Sequence, residues 1–163
     1  MFGLGDKAFY PAHGVGVIER IEKRTLLNIE ESFYVLKIID SSLTVTVSKS
    51  RAHEVGSRHL VSGDKVEEVF TVLKRKREDK FLKSQMPWNR RQRDYIAKLK
   101  TGSILDLAEI LKELSLLQNQ KQLSFGEKKL MEQVKKLLTK ELACCQNCTE
   151  DAVCGKINSL LAS

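Results

Sequence analysis

One property of this sequence limits its fold more than any other: the hydrophobic period changes near residue 60. Up to that point β-branched and aromatic residues alternate with polar ones, the period of a half-buried strand. Strands are expected at 7–11, 13–21, 33–39 and 43–47, joined by short connections. In the second, Val15, Val17 and Ile21 share a face. In the last, Leu43, Val45 and Val47 point inward while Thr44 and Thr46 face out. Several short strands in so little chain suit a small, bent antiparallel barrel of Tudor or SH3 type. Gly14 and Gly16 do not make a phosphate loop, because no GxGxxG or GKS/T follows and no helix opens there. A bend or bulge accounts for them.

Beyond residue 60 the apolar residues recur at helical spacing. Val66, Val69, Phe70 and Leu73 make one stripe on a short helix, and 74–87 reads as a basic linker. Asn89 caps a helix that runs to about Lys100, with Tyr95, Ile96 and Leu99 on its buried face. Arg90, Arg91, Asp94 and Lys98 lie opposite. Gly102 stops that helix, and Ser103 with Asp106 starts the next, which carries Ile104, Leu107, Ala108, Leu111 and Leu114. Ser124-Phe125-Gly126-Glu127 is a capping box for a helix with Leu130, Val134, Leu137 and Leu138 inside. Thr149-Glu150-Asp151 opens a last one with Val153, Ile157, Leu160 and Leu161. The expected class is α+β: a small N-terminal antiparallel β-barrel, then an all-α helical bundle. The expected divisions are a β domain at 1–62, a short helix and basic linker at 63–87, and a helical domain at 88–163.

The charge is unevenly placed. Residues 1–74 carry ten basic and ten acidic residues, and 101–163 carry eight of each. Residues 75–100 carry ten basic and three acidic, so the whole net charge of +7 sits in this window. Charges clustered within a Debye length act together, so a single belt on a neutral protein points to a polyanion. The belt lacks the apolar helix face that a membrane surface requires. It contains Met86-Pro87-Trp88-Asn89-Arg90-Arg91-Gln92-Arg93 and the only tryptophan in the chain. An indole among arginines suits a wedge against a base with cations on phosphates. It equally suits packing across a domain junction beside a solvated helix face.

Other candidates are thinner. If 43–47 is an edge strand, its backbone is open to pairing with another chain; a strand paired on both sides is the alternative. Cys144, Cys145, Cys148 and Cys154 have the spacing C-C-x2-C-x5-C. The CxxC pair Cys145–Cys148 with Cys154 invites zinc, while the lack of a second CxxC or a CxxH favours reduced thiols around an inter-helix loop. His13, His53 and His59 are scattered over the β domain, and the carboxylates sit in helix first turns or beside lysines. We find no catalytic constellation, and expect neither an enzyme nor a cofactor or metal.

The opening Gly5-Asp6-x-x-x-Tyr10-Pro11-x-His13-Gly14 resembles the start of the CarD/CdnL family of bacterial transcription regulators. Trp88-Asn89-Arg90-Arg91 is similar to that family's tryptophan-arginine signature, and Leu123-Ser124-x-Gly126-Glu127-Lys128 to a third block. The blocks occur in the right order over nearly the whole chain. The resemblance implies a Tudor-like domain that binds the RNA polymerase β subunit, a domain also found in transcription-repair coupling factor. It further implies a helical domain on promoter DNA at the upstream edge of the bubble, where a tryptophan wedges into the minor groove and stabilises the open complex. Carried over by position, the wedge is Trp88 and the DNA-facing cations are Arg90, Arg91, Arg93 and Lys128. The polymerase-facing surface includes Arg24, Leu26, Thr44 and Thr46. Some members have an arginine where this chain has Thr46, which implies a weaker or differently placed charged contact.

The expectation is therefore a non-catalytic, monomeric transcription regulator, with polymerase β and promoter DNA of tolerant sequence as partners. No segment reads as a signal peptide or a membrane span, so a cytoplasmic, nucleoid-associated bacterial protein is expected. The rivals are a free-standing architectural DNA-binding protein and a zinc or redox protein built on the cysteines.

Overall fold

The computed structural model describes residues 2–11, 13–39, 41–74, 88–119 and 121–162, the side chain of Trp88 excepted. The linker expected at 74–87 lies outside the described residues after Lys74, and with it half of the basic belt. The chain divides into two compact units, residues 1–60 with 100–102, and 61–99 with 103–163. The first holds the strands and the second the helices, so the expected α+β arrangement is borne out.

The first unit is one antiparallel sheet. Its strands are β1 (Lys7–Tyr10), β2 (Gly14–Leu26), β3 (Ile29–Ile38), β4 (Thr44–Ser48) and β5 (Arg58–His59), in the order β4-β3-β2-β1-β5. Ala8, Ile18, Tyr34, Leu36, Val47 and Ala52 form its core. Gly14 takes φ +90° at the end of the β1–β2 turn, where a side chain would be strained. Gly16 is not at a bulge. A Cβ there would come within 3.2 Å of Ile38 and 3.3 Å of Leu36, so its role is to admit those side chains. The bulge falls later, between Ile18 and Arg20. It shifts the register of β2 and corrects the expectation that Ile21 shares a face with Val15 and Val17. Ile21 pairs with Tyr34 and so falls on the face of Ile18, where it is exposed, while Val15 and Ile18 are buried and Val17 is half-buried.

The β2–β3 hairpin runs past the strand ends expected from sequence. Leu26 pairs with Ile29 across a two-residue turn in which Leu27 and Asn28 have φ of 51° and 65°. Such turns usually announce themselves by a glycine. Leu-Asn does not, and the charged arms between Glu22 and Ser32 hide the hairpin further.

The second unit contains α1 (Gly63–Lys74), α2 (Trp88–Thr101, up to Leu99), α3 (Ile104–Gln118), α4 (Phe125–Gln146) and α5 (Glu150–Ala162). α1 belongs to this bundle. Val66, Val69, Phe70, Val72 and Leu73 are buried, and the helix packs against α3, α4 and α5. The apolar stripes expected on α3 and α4 are all buried, as are Val153, Ile157 and Leu160 of α5. Ser103 caps α3 by accepting the Asp106 N–H, and Gly102 ends α2 at φ +72°. The capping box of α4 is complete: Ser124 Oγ accepts the Glu127 N–H, and Glu127 Oε1 accepts the Ser124 N–H. No helix among the described residues is long and apolar enough to cross a membrane.

Candidate partner and nucleic-acid interfaces

β4 is an edge strand, paired with β3 and nothing else in the sheet. The register decides which way its backbone points. Ile38 N–H bonds to the Leu43 carbonyl at 3.0 Å and Lys49 N–H to the Ser32 carbonyl at 2.9 Å. The intervening pairs Leu36–Val45 and Tyr34–Val47 keep the same phase. In an antiparallel ladder every second residue is bonded inward. The N–H and C=O groups of Thr44 and Thr46 therefore point to the free edge.

The same register collects the side chains. Residues opposite one another share a face, and faces alternate along a strand. The partners Thr44–Lys37, Thr46–Val35, Ser48–Phe33, Arg24–Glu31 and Leu26–Ile29 all fall on one face; Val45, Val47, Tyr34 and Leu36 fall on the other. Arg24, Leu26, Thr44 and Thr46 thus stand on one side of the sheet. The Arg24 guanidinium lies 5.2 Å from the Phe33 ring centroid and donates to Glu22 at 2.9 Å. Bonds from Arg20 and then Arg24 hold the Glu22 carboxyl below the usual carboxylate range. Leu26 is 64% exposed, and Thr44 and Thr46 are exposed. Leu43, expected to point inward, precedes the strand and is exposed.

In the helical unit the Trp88 backbone occupies the first position of α2; its side chain lies outside what is described. Arg90 and Arg93 are exposed, as is Lys128. Arg91 is not on the outward face with Arg90, and that expectation is corrected. It is 5% exposed, and both its terminal nitrogens donate to Glu127 Oε2 at 3.2 Å. Glu127 is 2% exposed. A guanidinium buried with a carboxylate is stable only as a hydrogen-bonded pair. The capping-box glutamate therefore does two things: it closes α4 with one oxygen and fastens the first turn of α2 with the other.

The rest of α2 is attached in the same polar manner. Tyr95 is buried and bonded to Glu113; burial first, and then the Glu113 charge, push its phenol well above the usual range. Lys98 pairs with Glu109 at 3.4 Å. Ile96, expected inside, is exposed, because the buried line runs through Arg91 and Tyr95, four residues apart. Sequence reasoning missed Glu127, Glu113 and Glu141 as functional partners. The one available signal was the glutamate of the capping box, whose second oxygen asks for a donor.

Burial pushes the Glu127 carboxyl up, but the Ser124 bonds and the Arg91 guanidinium outweigh it and hold the group below its ordinary value of 4.5. A lowered folded-state value means that the pair stabilises the fold fully above that ordinary value. The contribution fades as pH falls through the folded one. The stability gap between wild type and Glu127→Gln is therefore expected to be widest near neutral pH. It narrows as melting is measured at pH values progressively below the ordinary carboxyl value of 4.5. A gap that does not change with pH would remove the ionic account.

Cys144 and Cys145 lie in the last turn of α4, Cys148 follows the left-handed Asn147 cap, and Cys154 is in α5. Cys145 Sγ donates to the Val61 carbonyl at 3.3 Å. Among the described residues no group of three or more His, Cys, Asp or Glu side chains is placed to hold a metal. An open groove of about 630 Å³ lies along α3, α4 and α5, lined by Leu123, Met131, Leu161, Lys128 and Glu132 among others. Its described lining has a single carboxylate and neither histidine nor cysteine.

Residues 2–58 match the family described as the CarD-like/TRCF RID domain, and residues 68–158, more than half of the chain, match CarD, C-terminal domain. The chain belongs to the CarD family. A relative from Bacillus subtilis (strain 168), named "Putative transcription factor YdeB", is 29% identical over 153 residues, covering 94% of this chain and 97% of the relative. The CarD family is one of transcription regulators and not of enzymes, and the two matched domains coincide with the sheet unit and most of the helical unit.

Proposed function

We propose that this CarD-family protein binds the RNA polymerase β subunit through the free edge of β4 and holds promoter DNA with its helical unit, stabilising the open complex. The observation that carries the first part is the placement of Arg24, Leu26, Thr44 and Thr46 on one face, beside an edge whose Thr44 and Thr46 backbone groups point outward. A partner strand added there gains main-chain bonds, and the hairpin beyond it offers Leu26 and Arg24 as side-chain contacts. The uncharged Thr46 leaves affinity to the backbone and to Leu26. On the DNA side, Trp88 is the wedge and Arg90, Arg93 and Lys128 are the phosphate contacts. Arg91 keeps the tryptophan's helix in place and does not touch DNA. Tethering to polymerase raises the local concentration of a weak DNA contact. The duplex at the fork is already distorted, so unstacking there costs little.

Thr46→Pro tests the edge. It removes an N–H that β3 does not use, and proline is tolerated on edge strands, so the sheet should survive. Losing one bond worth about 0.5–1.5 kcal/mol weakens binding to the isolated β lobe by at least two- to tenfold. Thr46→Val, which keeps the N–H, should bind as wild type does. Co-purification with the lobe and circular dichroism read the two properties separately. Undiminished binding by a folded proline variant would rule out this edge.

A further inference from the structure

The composition of α4 conceals how its charge is distributed. The helix contains five lysines and three glutamates. Two of the glutamates face inward. Glu127 is spent on Arg91 and the Ser124 backbone, and the fully buried Glu141 accepts the Val61 N–H at 3.2 Å. Glu132 is the one acid of α4 left toward solvent. Against it stand Lys128, Lys129 and Lys136, all exposed, and the half-buried Lys135 and Lys140. Positions 125, 129, 132 and 136 are three or four residues apart and line one face, with 128 and 135 beside it. From 125 to 140 this face is about 22 Å long. Lys135 donates to Asn158, whereas Lys128, Lys129 and Lys136 make no ion pair among the described residues.

The head of this face carries an aromatic ring. Phe125, the first residue of α4, is 82% exposed. A lone exposed apolar side chain is ordinary. Here it stands one turn from Lys129 and two residues from Glu127, the residue that holds the first turn of α2. Cations running along a helix behind a solvent-facing ring match a phosphate backbone with a sugar or unstacked base at its end. A bilayer would need more apolar surface than one ring.

We propose that the outward face of α4, formed by Phe125, Lys128, Lys129 and Lys136, is a second DNA-contacting surface that follows the phosphate backbone away from the first turn of α2. It rests on the reading that the helical unit meets DNA, and it adds Phe125, Lys129 and Lys136 to the contacts. The test uses the full chain and a fluorescent fork-junction duplex, with affinity measured by anisotropy over a range of salt. Lys129→Gln with Lys136→Gln should reduce the slope of log K against log salt by about 1.8, the release expected for two phosphate contacts. Lys7→Gln with Lys65→Gln, an equal charge change at exposed lysines elsewhere, should leave the slope alone. Phe125→Ala should weaken binding about fivefold or more at constant slope. Melting curves confirm that each variant is folded.

If Arg90→Gln with Arg93→Gln lowers the slope and the α4 pair does not, DNA binding stands and this surface falls. If wild type fails to bind, or neither pair changes the slope, both readings fall together. An equal drop for the Lys7 and Lys65 pair would reduce the effect to net charge and overturn the proposal. So would an α4 pair that loses binding to phosphatidylserine vesicles, or to an acidic protein, while DNA affinity is unchanged.

Discussion

Arg91→Ala is expected to destabilise the helical unit by about 3–5 kcal/mol, because it strands the buried Glu127 carboxylate without its counterion. At about 4–8 °C per kcal/mol for a domain of this size, melting should fall by roughly 12 °C or more. The loss should concentrate in α2. That helix is held by Arg91–Glu127, Tyr95–Glu113 and Lys98–Glu109 more than by apolar side chains, since Ile96 faces water and Leu99 is only half-buried. Amide exchange in 88–99 should therefore rise further than in α3 or α4. Arg91→Met with Glu127→Gln removes both charges while leaving a side chain able to complete the capping box. It should recover much of what Arg91→Ala loses. A single variant that melts within about 1 kcal/mol of wild type would show that the pair is not what fastens α2.

Trp88→Ala should shorten the half-life of the open promoter complex while leaving affinity for the β lobe unchanged. An apolar wedge of this kind is worth about 1–3 kcal/mol by analogy with aromatic–base stacking, or roughly 5- to 150-fold in an equilibrium constant. Trp88 begins α2, outside the unit proposed to bind polymerase, so the tether should outlast its removal. A packing role makes a different forecast: Trp88→Ala would then cost several kcal/mol of fold stability and would not act on the promoter. Melting temperature and half-life together separate the two. An unstable variant whose half-life, corrected for folded fraction, matches wild type would eliminate the wedge.

The two charge effects are linked. Arg91 and Arg90 are adjacent in sequence and both lie in the basic belt, yet one neutralises a buried carboxylate and the other is exposed. A count along the chain treats them alike. The same count finds residues 101–163 neutral, although two of the glutamates in α4 are buried and its lysines are not. Net charge is a property of composition, but the field that DNA would meet depends on which charges have been paired inside.

Much of the fold was legible in the residues. The stripes of α1, α3 and α4, the Ser103 cap, the Ser124–Glu127 capping box and the Gly102 stop are local patterns, set by neighbours three or four positions away. So were the alternation of β4 and the blocks around Tyr10, Trp88 and Ser124 that resemble the CarD family. The hairpin from Glu22 to Ser32 was not legible, because its turn lacks glycine and its arms are charged. The bulge that moves Ile21 from the face of Val15 to that of Ile18 was not legible either, because it depends on how β2 registers against β3.

By itself, then, the sequence determined the two periods, the helix ends, the family blocks and the existence of a basic belt, since each rests on interactions within a turn or two of chain. Only the tertiary structure decided that β4 is an edge with Thr44 and Thr46 turned outward, that Arg24 and Leu26 share their face, and that Arg91 is spent on Glu127, 36 residues away. The physical reason is the same in each case. Pairing partners and burial are set by contacts between segments distant in sequence, and a charge or a backbone N–H has no function until those contacts leave it free or use it.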